Sequence, residues 1–97
     1  MNYPTETDNP AMAGTYNGWA NYHTWNVSLY INNEYPWYKA ACSYAAHQNE
    51  LKLPIKYDEF YEYFSELLGK VTPDGVSWTD PTLDDDELSE MLQDLVE

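Results

Sequence analysis

NGWANYHTWNVSLYINN, residues 17–33, is the stretch around which the rest of the chain can be placed. It holds two of the four tryptophans and carries no charged side chain apart from His23. Asn21 is a favourable residue for the N-cap of a helix, and Asn32 with Asn33 is a suitable end. Apolar residues between these limits fall on more than one helical face, which is typical of a buried helix. The stretch therefore predicts a central helix.

A strand is the alternative for the same residues. Trp25, Val27, Leu29 and Ile31 alternate with polar or tyrosine residues, and such alternation is the pattern of a half-buried strand. The capping residues favour the helix over the strand, because a strand has no need of them.

Three further helices are predicted on the C-terminal side. The second is capped by Asn33, has Pro36 in its first turn and reaches about His47. The third runs from near Asp58 to Gly69, and the fourth from about Asp84 to Val96. Residues 71–78 contain the turn signal Pro-Asp-Gly and predict either a short β-hairpin or an ordered loop held by its tryptophan. The fold class is a mainly α bundle of about four helices.

The apolar stripes of the predicted helices indicate which faces are buried. Residues 1–16 show little periodicity and are interpreted as a flexible N-terminal arm, which leaves residues 17–97 as a single acidic helical domain. The predicted core residues of the second, third and fourth helices are Trp37, Ala40, Ala41, Tyr44, Ala45, Gln48, Phe60, Phe64, Leu67, Leu68, Leu88, Met91, Leu92 and Leu95.

Charge limits the functions that the chain can have. The formal net charge is −13, from 17 acids and four lysines, and the sequence contains no arginine. Residues 57–97 hold 13 of the acids and a single lysine, so this part carries −12. A basic surface for nucleic acid or for an anionic membrane is excluded on this composition. The expected partner is a basic or nucleic-acid-binding protein.

Catalytic and metal-binding motifs are not recognisable in the sequence. His23, Cys42 and His47 lack the spacing of a metal site, and Cys42 has no nucleophile signature around it. The run of acids at residues 84–87 lacks the alternating ligands and the glycine of an EF-hand loop. We therefore expect neither an enzyme nor a cofactor. Without a signal peptide or a long apolar segment, the expected location is the cytoplasm of a bacterial host.

Two acidic rows are the most informative functional pattern. Glu87, Glu90, Asp94 and Glu97 recur at spacings of three and four residues, so they share one helical face. A second row, made of Glu59, Glu62 and Glu66, lies on the third helix. Like charges at this spacing destabilise a helix slightly, which suggests a use for them, although solvated faces of an acidic protein would look the same. The candidate partner-binding residues are Glu59, Glu62, Glu66, Asp84, Asp85, Asp86, Glu87, Glu90 and Asp94.

Tyrosine offers a second kind of binding surface. Ten tyrosines are many for a chain of 97 residues, and several must therefore lie at the surface. The candidate aromatic residues are Tyr30, Tyr35 and Tyr61. A tyrosine-rich face also allows a homodimer.

The central stretch resembles a small family of uncharacterised proteins from phages, plasmids and bacteria. The shared pattern is N-G-W-x-N-Y-x-T-W-N-V-x-L-W-I-x-N, from which Tyr30 departs by replacing tryptophan. Residues 74–78, 80–81 and 88–91 are also similar. The matching residues are Asn17, Gly18, Trp19, Asn21, Tyr22, Thr24, Trp25, Asn26, Val27, Leu29, Ile31 and Asn33. The resemblance implies a common fold and a mobile-element context. We expect an accessory protein that inhibits a host or defence protein, such as a CRISPR or restriction component, by imitating nucleic acid.

Overall fold

Four α-helices make up most of residues 16–96, the range that the computed structural model describes. They are α1 (Tyr22–Asn33), α2 (Tyr35–Glu50), α3 (Tyr57–Leu68) and α4 (Asp85–Gln93). The prediction of a mainly α bundle is confirmed. Residues 1–15 of the predicted arm, and Glu97, lie outside the described residues.

Helix α1 confirms the helical interpretation of the central stretch. The Asn21 side chain caps it by accepting a hydrogen bond from the Thr24 backbone N–H at 2.8 Å. Its buried stripe is Thr24, Val27, Ser28 and Ile31, at positions i, i+3, i+4 and i+7. Two of these four are polar, and local hydrogen bonds allow their burial. The Thr24 hydroxyl donates to the Asn21 side chain, and the Ser28 hydroxyl donates to a backbone carbonyl one turn earlier.

Glu34 is the single residue that separates α1 from α2. Its backbone N–H donates to the Tyr30 carbonyl at 3.0 Å, and its own carbonyl accepts from the Tyr38 N–H at 2.8 Å. The prediction that Asn33 caps α2 is therefore wrong, because Asn33 is still the last residue of α1. Pro36 does lie in the first turn of α2, as expected. Helix α2 continues to Glu50, three residues beyond the predicted end.

Helix α3 ends at Leu68 and is capped by Gly69, whose positive φ of 79° suits a glycine. Phe60 and Leu68 of the predicted stripe are buried, but Leu67 is 47% exposed. The reason is a kink at Phe64, which has non-helical dihedral angles and changes the phase of the last turn. Tyr57, at the start of the helix, is buried in addition.

Trp78 fixes the loop that follows α3. Its ring is fully buried, its Nε1 donates to the Leu68 carbonyl at 3.1 Å, and its carbonyl accepts from the Tyr57 hydroxyl at 2.6 Å. Across this loop Val71 and Ser77 form one isolated antiparallel bridge, and residues 71–78 contain no strand. The ordered-loop alternative is therefore correct and the hairpin is not formed.

Helix α4 completes the core. Leu88 and Leu92 are fully buried, and Met91 and Leu95 pack against them with partial exposure. The helix ends at Gln93 rather than Val96, because the N–H groups of Leu95 and Val96 bond three residues back instead of four. Acidic residues near a helix C-terminus oppose the helix dipole, which favours this early end.

Candidate functional site

The N-terminus of α1 holds the segment that leads into α4. The Asn21 side-chain amide donates to the Thr82 carbonyl at 2.6 Å, and the Asp84 backbone N–H donates to the Thr24 hydroxyl at 3.0 Å. The His23 ring Nδ1 lies 2.8 Å from the Thr82 hydroxyl. These contacts join residues about 60 positions apart in sequence. The polar residues of the central stretch therefore set the position of the acidic helix.

Asp84 and Glu87, two of the predicted site residues, have structural contacts of their own. The Asp84 carboxylate caps α4 by accepting from the Glu87 N–H at 3.0 Å. One carboxylate oxygen of Glu87 accepts from the Ala20 N–H at 2.7 Å. Both side chains are thus held in place by the fold.

A groove of about 360 Å³ runs along the same side of α4. Its lining combines acidic with apolar residues. Glu87, Glu90 and Asp94 of the predicted row line it together, so the structure brings these three residues to one place. The other lining residues are Gly18, Trp19, Asn32, Met91 and Leu95. Sequence reasoning did not identify Trp19 as a site residue, because the groove forms only when the start of the domain meets α4.

Glu90 and Asp94 are exposed, and neither carboxylate has a hydrogen-bond or ion-pair partner within residues 16–96. The one contact of ion-pair distance in that range joins the His23 Nδ1 to an Asp80 carboxylate oxygen at 3.6 Å, and neither residue lines the groove. Hydrogen bonds from the side chain and backbone N–H of Thr82 lower the pKa of Asp80. The negative charge of the groove is therefore not balanced by any described lysine.

A second acidic site lies on the other side of α4. Asp85, from the run of acids, and Asp58, at the start of α3, line a pocket of about 210 Å³ together with Tyr61. Partial burial and then the neighbouring carboxylate of Asp58 raise the pKa of Asp85, with smaller effects from Asp84 and Asp86. The sequence places Asp58 at the start of the third helix and does not predict its approach to another carboxylate. Its approach to Asp85 depends on the packing of α3 against α4.

The acidic row of α3 is divided by the structure. Glu59 turns towards α2, where its carboxylate accepts from the Tyr44 hydroxyl at 2.7 Å and from the Gln48 amide at 3.1 Å. Burial, with a contribution from Glu59, raises the pKa of Tyr44 to about 12. Glu62 and Glu66 are exposed, so they remain the accessible part of the row.

The three candidate tyrosines lie on three different helices, and no ring contact joins any two of them in the described part of the chain. Tyr30 is half-buried and packs edge-on against Trp37, and Tyr61 donates its hydroxyl to the Gly69 carbonyl at 2.9 Å. Burial and the nearby Asp74 raise the pKa of Tyr30. Tyr35 is 69% exposed, with the Lys39 ammonium 5.9 Å from its ring centroid.

Metal and membrane sites were also sought among residues 16–96. Within this range no three His, Cys, Asp or Glu side chains gather in a way that could hold a metal ion. None of the four helices has both the length and the apolar character that crossing a bilayer requires.

Comparison with known proteins places the chain in one family. Residues 12–97 match the family of unknown function DUF7249, and the chain belongs to that family. No curated protein and no solved structure matches the chain.

Proposed function

We propose that this chain is a phage- or mobile-element-type accessory protein that binds and inhibits a nucleic-acid-binding host or defence protein, such as a CRISPR or restriction component, in the bacterial cytoplasm. The acidic C-terminal half imitates nucleic acid and occupies the partner's basic groove. The origin from a mobile element rests on the resemblance of the central motif.

One observation carries the proposal: exposed carboxylates without partners are concentrated on α3 and α4. Within residues 16–96, six exposed carboxylates on these two helices, or directly after α4, make no hydrogen bond and no ion pair. They are Glu62, Glu66, Asp85, Asp86, Glu90 and Asp94. When a basic protein binds these carboxylates, the counterions of both proteins are released, as they are when such a protein binds the phosphates of nucleic acid.

The acidic row of α4 is comparable to a row of phosphates in its charge density, although not equal to it. Glu87, Glu90 and Asp94 span about 10 Å along the helix, at a rise of about 1.5 Å per residue. The phosphates of one DNA strand follow each other at about 3.4 Å. Three carboxylates over this length give a charge density of the same order but somewhat lower. The fourth member of the predicted row, Glu97, lies outside the described residues.

The test is capture of a partner and its release. A tagged copy of the chain is incubated with bacterial lysate, and retained proteins are eluted with increasing salt or with duplex DNA. We expect a nucleic-acid-binding protein that is released at a few hundred millimolar salt, because screening weakens contacts between exposed charges. DNA should displace the same protein, and the captured protein should lose activity on its own nucleic acid.

Matched variants separate the acidic surface from total charge. Glu62→Gln/Glu66→Gln should weaken capture, whereas Glu34→Gln/Glu50→Gln removes the same charge from the ends of α2 and should have a smaller effect. A partner that is retained at high salt and is indifferent to DNA would refute mimicry and would indicate an aromatic surface around Tyr35.

A further inference from the structure

We infer that the groove between the N-terminal turn and α4 is a receptor for one arginine side chain of the basic partner. This inference rests on the proposed function and names the contact that the partner makes. The groove is defined by its lining residues, of which Glu87, Glu90 and Asp94 are acidic and Trp19, Met91 and Leu95 are apolar.

The lining of the groove selects the occupant by its chemistry. An arginine has an apolar stem and a planar charged end that pairs with carboxylates and stacks on aromatic rings. The groove offers both kinds of surface, because an aromatic residue, Trp19, and the unpartnered acids Glu90 and Asp94 all line it. A fully acidic pocket would not distinguish arginine from a hydrated metal ion or lysine. A fully apolar groove would reject a charged end.

The groove is formed before any partner binds. The Tyr16 and Trp19 backbones exchange two hydrogen bonds, at 2.7 and 2.8 Å, which closes the N-terminal turn around Gly18. The adjoining Ala20 N–H then donates to Glu87 and attaches this turn to α4. A site that is held by its own hydrogen bonds loses little conformational entropy when it binds, which favours recognition of a single side chain.

A second copy of this chain is not the occupant, because the sequence contains no arginine. The four basic side chains are Lys39, Lys52, Lys56 and Lys70, and within residues 16–96 none of them pairs with a carboxylate of the groove. The charge of the groove is therefore available to a cation from another protein.

The experiment is an NMR titration of the ¹⁵N-labelled chain with the peptide acetyl-Gly-Arg-Gly-amide. We expect saturable shifts of the Trp19 indole N–H and of the Glu90 and Asp94 backbone amides. The same peptide with citrulline, which has the shape of arginine without its charge, should cause no saturable shift. The lysine peptide should bind more weakly, since it lacks the planar end.

Variants identify the groove as the site. Glu90→Gln/Asp94→Asn should weaken the arginine peptide roughly fivefold, as expected for the loss of two exposed charge contacts. Glu34→Gln/Glu50→Gln should change the affinity by less than about twofold, since these acids act only through the screened field. Trp19 is left unchanged, because it packs against the core and its loss would disturb folding.

Three results would overturn the inference: shifts spread equally over all acidic segments, equal affinities for arginine and lysine, or no difference between the two double variants. Failure of the groove is distinguishable from failure of the proposed function. A DNA-displaceable partner without arginine binding at the groove would leave mimicry standing. If arginine binds at the groove but DNA displaces no captured partner, the arginine site stands and mimicry is refuted.

Discussion

Asn26 joins α1 to the loop at residues 71–78, and Asn26→Ala is expected to lower the free energy of unfolding by about 2–4 kcal/mol. The side chain is fully buried. Its amide donates to the Asp74 carboxylate at 2.8 Å, and its carbonyl oxygen accepts from the Thr72 hydroxyl at 2.7 Å. A hydrogen bond to a charged group contributes about 1.5–3 kcal/mol and a neutral one about 0.5–1.5 kcal/mol. In the Asn26→Ala variant, water can hydrate the exposed Asp74 carboxylate. The hydroxyl of Thr72, a residue that is 2% exposed, is left without the acceptor of its hydrogen bond.

A double-mutant cycle isolates this contact. The free energy of unfolding is measured by urea denaturation for Asn26→Ala, Thr72→Val and the two together, with tryptophan fluorescence and circular dichroism as independent probes. We expect a coupling energy of about 1–2 kcal/mol, because residues that share a buried hydrogen bond are not additive. A domain of this size has a stability of about 5–15 kcal/mol, so the variants should remain folded at low urea.

Asn33→Ala is the control, because it changes the same residue type in the same helix at an exposed position without a side-chain hydrogen bond in the described range. Its effect should stay within about 0.5 kcal/mol. The reasoning would be refuted if Asn26→Ala were no more costly than this control, or if the coupling with Thr72 were zero within error.

Three further predictions concern single side chains. Asp84→Ala removes the N-cap that receives the Glu87 N–H, and should lower the free energy of unfolding by about 1 kcal/mol in urea denaturation; no loss would show that water replaces the cap. Tyr57→Phe removes the buried hydrogen bond to the Trp78 carbonyl and should cost about 1–3 kcal/mol, since that carbonyl stays buried; an unchanged unfolding midpoint would contradict it. The pKa of Asp85 is raised in the folded state. Its ionised form therefore lowers the free energy of unfolding at pH values above the folded pKa. This loss of stability disappears as the pH falls below 3.8, the pKa in the unfolded state, because Asp85 is then protonated in both states. Asp85→Asn should therefore stabilise the protein at neutral pH but not below pH 3.8, as measured by urea denaturation at a series of pH values. An equal change in the free energy of unfolding at neutral and at acidic pH would contradict this prediction.

Local signals in the sequence were sufficient for the helices. The Asn21 cap and the end at Asn33 depend on neighbouring residues, so α1 could be predicted although its apolar residues also fit a strand. Leu88 and Leu92 follow a clear period and are buried as predicted. The predicted end of α4 is three residues too late, because the apolar period continues into residues whose N–H groups already bond three residues back.

The site depended on contacts between distant residues, which no local pattern contains. Glu87 bonds to Ala20 across 67 positions, and this contact joins the turn that contains Trp19 to α4, where the two together line the groove. Glu59 belongs to the predicted acidic row by spacing, yet the hydroxyl of Tyr44 holds it against α2. Helical spacing gives the face on which a residue lies, but the neighbouring helix decides whether its charge is available.

The single-residue joint at Glu34 has a consequence for how relatives of this chain differ in length. One residue inserted there would turn α2 by about 100° about its axis, since a helix has about 3.6 residues per turn. Ala41 and Tyr44 would then leave the core and exposed side chains would enter it. Residues 51–56 join α2 to α3 without helix and are largely exposed, so they can lengthen or shorten without such a rotation. Alignments of the family should therefore contain gaps in the second connection and none in the first.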